Sequence, residues 1–261
     1  MLSNKNRIEE ILKNGYQIRF ESVFELAFKN YRKIVLYAGL LFLVFAVLAI
    51  ILSFFILLSY FGVNELEQMV KPENLNPEQL TGNTRIAFLL GSALLSVVLS
   101  PFIAGFIKMA YCAEKDEEFQ VSNVFDYYKS VIGKELIIAT LVLATVNTGL
   151  PLLTEKPDYL VAMNLVSYVI LFITFMTVPL IIFGNLKAIA AIKASIILFF
   201  KNPLPLFSLI FVGYIFSAIG AFLFYIGIFF TLPFLYSMQF AVYNSIVGFD
   251  IDTEDDFDEI K

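Results

Sequence analysis

Long apolar runs, separated by short charged blocks, set the architecture of this chain. A helix needs about 20 apolar residues to cross roughly 30 Å of hydrocarbon. Segments 34–61 and 86–111 meet that length, the second with Lys108 near its end, where a lysine can snorkel to the interface. Segment 136–153 is shorter but sufficient, and 159–183 follows after the small loop at 154–158. From Pro203 to Phe249 no charge occurs over 47 residues. As one helix that run would be about 70 Å long, over twice the hydrocarbon thickness. It must fold back, and the glycines of "GAFLFYIG" (220–227) mark the bend. Spans at 204–222 and 225–247 result. The pattern predicts an all-α, polytopic membrane protein with six transmembrane helices in a single membrane domain, 1–249, followed by an acidic tail, 250–261.

Charge adds the orientation. The blocks that alternate with the spans hold 15 Lys and Arg on the side of both termini and 3 on the other. The positive-inside rule then places both termini in the cytoplasm, and a bacterial inner membrane is the expected location. The first 33 residues carry mixed charge, and the apolar run after them is too long for a signal-peptide core, so an uncleaved first span is expected. The tail "DIDTEDDFDEIK" reads as a solvated end.

Two cytoplasmic segments share a signature. "SVFELAFKNYRK" (22–33) and "NVFDYYKSVIGK" (123–134) each open on a polar residue with a carboxylate three positions later: Ser22 with Glu25, Asn123 with Asp126. The first is a capping box and the second a weaker analogue. Apolar residues follow at helical spacing, which predicts amphipathic helices lying along the cytoplasmic interface. Segment 190–203 plays the same part without the cap. Each even-numbered span carries one proline, Pro101, Pro179 and Pro233, and each should kink its helix. The chain thus reads as three units of interfacial helix, straight span and kinked span, a threefold hairpin repeat.

Segment 178–216 carries Pro179, a basic, serine-containing helix around Lys193 and Ser195, then Lys201 and an apolar hairpin. This pattern resembles bacterial six-span membrane proteins, a group that includes the membrane domain fused to some glycerophosphodiester phosphodiesterases and stand-alone relatives of unknown function. The likeness is clearest over roughly the last 70 residues. No phosphodiesterase domain accompanies it here and no catalytic residue carries over, so the resemblance implies an architecture and not an activity.

Composition narrows the chemistry. There is no histidine and one cysteine, Cys112, which excludes imidazole metal sites, histidine acid–base catalysis and an intramolecular disulfide. No carboxylate lies within a span, which argues against proton coupling. The acidic block 114–119 reads as a solvated loop. Intramembrane polar candidates are Asn147, Asn164, Gln239 and Asn244. Asn147 and Asn164 sit at similar depth. The favoured reading is an interhelical hydrogen bond; the other is a pocket open to the outside. Gln239, one turn from Tyr236 and Tyr243, has the same two readings. Ser92, Ser96, Ser100 and Ala104 recur every fourth residue, and Gly213, Ser217 and Ala221 repeat that spacing on the fifth span. Small residues on one face let helices approach, so the two stripes are expected to form packing seams, with each other as candidate partners. The serines can bond their own backbone one turn back. No enzyme motif and no cofactor site is present in the sequence. Two functions remain: a non-enzymatic module that binds lipid or supports partner proteins, or a transporter for an apolar or lipid-like substrate. Membrane lipids are the expected partners, other membrane proteins come second, and nucleic acid is not among them.

Overall fold

A computed structural model describes residues 4–63, 82–152, 157–222 and 226–249; the acidic tail lies outside them. These residues are helical throughout, with no strand among them. The order is α1 (Asn4–Asn14), α2 (Phe20–Phe61), α3 (Gly82–Lys115), a 3₁₀ turn (Val121–Phe125), α4 (Asp126–Lys129), α5 (Val131–Leu152), α6 (Pro157–Ile173), α7 (Thr177–Ile182), α8 (Ala188–Lys201), α9 (Pro203–Ile219), a second 3₁₀ turn (Gly220–Phe222) and α10 (Gly227–Ile246). Five stretches are long and apolar enough to cross a membrane: Phe20–Leu52, Phe88–Lys115, Val131–Leu152, Val161–Ile182 and Pro203–Phe222. The segment expected as a sixth span is α10, of 20 residues. It carries Thr231, Gln239 and Asn244, is not among those five stretches, and is enclosed by its neighbours from Pro233 to Tyr243.

Several expectations are corrected. Segment 22–33 is no separate helix lying flat. It is the first third of α2, a continuous helix of 42 residues and about 63 Å. The physical reason is the absence of any breaker. No Gly or Pro occurs from 20 to 38, and the buried stripe Val23, Ala27, Asn30, Ile34, Ala38, Leu41 crosses residue 33 in register. The helix also starts two residues before Ser22, with Arg19 as N-cap and no side-chain cap, so the capping box does not form. Segment 123–134 breaks instead of continuing into a span. Ser130 is extended and caps α5: its Oγ accepts the Gly133 N–H at 3.1 Å. Gly133 is required there, because a Cβ would fall 1.7 Å from the Tyr127 carbonyl oxygen. Val124 and Tyr127 are buried while Phe125 and Tyr128 are partly exposed. The fourth span is interrupted at 174–176, between α6 and α7. Of the bend expected at 220–227, residues 220–222 form the second 3₁₀ turn, which ends α9, and residues 223–225 lie outside the described ones.

The core sits at one end of the bundle. Phe102 to Cys112 of α3, Phe175 to Phe183, the inner face of α8 and most of α10 are buried together. Helix α10 packs along α2 and α9 and also touches α3; α3 packs on α5 and α2. An aromatic cluster of Phe24, Phe28, Tyr31, Phe216 and Phe234 joins α2 to α9 and α10, and Phe42, Phe106 and Tyr236 stack between α2, α3 and α10. Beyond this core the ends of α2, α3, α5 and α6 project with exposed apolar side chains, among them Leu48, Ile50, Phe55, Leu90, Leu94 and Val169.

Candidate functional site

Polar side chains converge on the breaks in the helices. A proline cannot donate to the carbonyl four residues before it, and within a membrane each unpaired backbone group costs several kcal/mol. At Pro101 the freed carbonyl is that of Val97, and the Ser100 hydroxyl donates to it at 2.9 Å. One residue on, the Tyr128 hydroxyl donates to the Val98 carbonyl at 2.8 Å. A side chain from the α4 turn thus bonds to the backbone of α3 beside Pro101.

The break before Pro179 is served from two helices. Thr177 N–H bonds to the Thr174 carbonyl and Phe175 N–H to that of Phe172, both one residue tighter than an α-helix. This strands the Ile173 carbonyl and the Met176 N–H. Ser195 of α8 serves both: its hydroxyl donates to Ile173 O at 3.0 Å and accepts from Met176 N–H at 3.1 Å. Pro179 itself frees the Phe175 carbonyl, and Gln239 of α10 donates its Nε2 there at 3.1 Å. Two further bonds tie α10 in place. Ser237 donates to the Ala27 carbonyl at 2.7 Å, and Thr231 donates to the Ser217 carbonyl at 2.7 Å. At the base, Glu135 accepts the Ala188 N–H at 2.7 Å, a carboxylate on the N-terminus of α8.

The sequence-predicted residues divide accordingly. Ser92, Ser96 and Ser100 each donate to a carbonyl one turn back, at 2.7–2.9 Å. Only the lower half of that stripe is in the core: Ser100 and Ala104 are buried, whereas Ser92 is exposed. Gly213 and Ser217 do form a seam, but with α10, where a Cβ on Gly213 would meet Leu235 at 3.2 Å; Ala221 lies half-buried in the turn beyond. The two stripes do not join, because α10 stands beside α9 where α3 was expected. Pro101, Pro179 and Pro233 are all buried. Asn164 is exposed and makes no hydrogen bond with half-buried Asn147, whose Oδ1 lacks a partner. Asn244 is half-buried near the end of α10. Cys112 is buried.

Sequence reasoning did not single out Ser237, Thr231, Tyr128 or Asn30. Asn30 is fully buried on α2 with neither amide atom bonded. An amide at a stripe position of an otherwise apolar helical face was the available signal. The described surface also holds two open grooves. One, of about 540 Å³, runs along α2 past Phe24, Glu25, Phe28, Lys29, Arg32 and Lys33. The other, of about 280 Å³, lies between α2 and the end of α3, around Tyr37, Met109 and Phe119. Between them Lys29 pairs with Glu114 at 3.1 Å, and Lys33 bonds Asp116 and the Ala113 carbonyl, both at 2.6 Å. Two members of the acidic block 114–119 therefore clamp α2 to the end of α3. The Lys33 ammonium holds the Asp116 carboxyl below the usual carboxylate range.

No family model matches the chain, and neither a curated protein nor a solved structure matches it.

Proposed function

We propose that this chain is a six-span module of the bacterial inner membrane, with both termini cytoplasmic, that holds lipid and supports partner proteins without catalysing a reaction. One observation carries the reading. Four polar side chains of the core serve the chain's own backbone: Ser100, Ser195, Ser237 and Gln239 each donate to a main-chain carbonyl. A translocation path needs polar groups that face a cavity. Here Ser100, Ser195 and Gln239 seal helix breaks and Ser237 ties α10 to α2, and both grooves are open. The projecting apolar ends offer lipid-facing surface, and the likeness of segment 178–216 to the six-span group supports the same architecture.

The alternative, a transporter for an apolar or lipid-like substrate, draws on Asn30, Thr177 and the Oε1 of Gln239, buried polar atoms without partners. Reconstitution separates the two readings. Vesicles holding the purified chain should neither scramble a fluorescent phospholipid between leaflets nor take up an apolar dye faster than empty vesicles. Transfer that rises in proportion to protein would establish transport and end the module reading.

A further inference from the structure

The groove on α2 points to a specific kind of lipid. Its cations, Lys29, Arg32 and Lys33, stand against one carboxylate, Glu25, with Phe24 and Phe28 as apolar walls. Lys29 and Lys33 are engaged by Glu114 and Asp116. Arg32 is exposed and forms no ion pair among the described residues.

The next turns of the same helix decide the occupant. From Lys29 and Arg32 the exposed face continues at three- and four-residue steps through Leu36, Leu40, Val44, Val47 and Ile51, all exposed and all apolar. One unbroken surface therefore passes from a basic patch to an apolar stripe within about 10 Å. That is the polarity profile of a phospholipid, a headgroup above an acyl chain. Basic clusters at the cytoplasmic end of a span attract anionic headgroups, and a planar guanidinium suits a phosphate.

We propose that this groove binds an acidic phospholipid, with the phosphate on Arg32 and an acyl chain along Leu36, Leu40 and Val44. The proposal rests on the lipid-module reading and names its site. The full chain is reconstituted in phosphatidylcholine nanodiscs containing a minor fraction of phosphatidylglycerol. Native mass spectrometry then measures how far phosphatidylglycerol is enriched among the retained lipids. Wild type should enrich it. Arg32→Gln should reduce that enrichment about fivefold, the equivalent of about 1 kcal/mol for one basic residue at an anionic surface. Lys193→Gln, a change of an exposed cation on α8, should leave it unchanged. Wild-type enrichment in Arg32→Gln, or an equal loss in Lys193→Gln, would overturn the groove while leaving the module reading standing. Millimolar inorganic phosphate should not displace the lipid; displacement would overturn the lipid assignment in favour of a free-anion site. Wild type that retains no lipid above the bulk composition would remove both readings.

Discussion

Helix α3 has two halves that are both apolar and are differently placed. From Phe102 to Cys112 it is almost wholly buried, while Leu90, Leu94, Leu95 and Val98 lie exposed. Helix α2 shows the same division, packed up to Leu41 and bare at Val47 to Leu52, Phe54 and Phe55. Side-chain apolarity does not separate the halves, because in lipid an exposed leucine costs nothing. The packed halves are distinguished by close backbone approach, as at Gly105, and by polar atoms that satisfy interrupted backbone. In a membrane the hydrophobic effect thus brings a segment into the bilayer, and close packing and hydrogen bonds decide what lies inside the bundle.

The largest test of this contrast compares glycines. At Gly105, in the packed half of α3, a Cβ would fall 2.7 Å from the Val124 Cα, whereas at Gly91, in the exposed half, nothing lies within 4 Å. Gly105→Ala should destabilise by on the order of 3 kcal/mol, at the upper end of the cost of overpacking. Gly91→Ala should be neutral or stabilising by about 0.5–1 kcal/mol, since alanine favours the helix. Thermal unfolding in detergent measures both, and equal effects would erase the distinction between the halves.

A smaller difference is expected between two serines. Ser195→Ala strands both a carbonyl and an amide at the break before Pro179, at a cost of about 2 kcal/mol. Ser92→Ala removes only a back-bond on an exposed turn and should change stability by less than about 0.5 kcal/mol. Similar losses would mean that Ser195 is replaceable at the break.

The smallest effect is a pH dependence at the clamp. Asp116 is held below the ordinary carboxylate range by Lys33. Its contribution is therefore complete above that range and is lost as pH falls through the lowered value. The melting-temperature gap between wild type and Asp116→Asn should be constant near neutrality and close below about pH 4. A gap that persists in acid would show that the carboxylate does not act through its charge.

Much of the fold was legible in the sequence. Uncharged run lengths located five long apolar helices, and the 47-residue run had to contain a turn. The serine back-bonds followed from side-chain chemistry. The pairing of helices did not, because phenylalanine-rich faces pack acceptably on many partners, and nothing in the spacing of Gly213 and Ser217 names α10 over α3. The continuity of α2 was hidden by Ser22 and Glu25, which match a capping box that the longer helix overrides. The cap actually used, Ser130, was masked by the apparent periodicity running from Val124 to Ile132. Gln239 was visible as a buried amide, but its partner, a carbonyl freed by a proline on another span, could be assigned only in three dimensions.

The claim that these polar groups seal the chain's own backbone, and line no wet path, is tested most directly by water accessibility. In a Cys112→Ala background, single cysteines are placed at Ser100, Ser195 and Gln239, with Glu118→Cys as the exposed reference. Folded protein in membranes is then treated with a membrane-impermeant maleimide from each side. The three core positions should remain unlabelled while the reference reacts from the cytoplasmic side. Labelling at Ser195 or Gln239 at a rate near that of the reference would contradict the account and place water where the structure has hydrogen-bonded backbone.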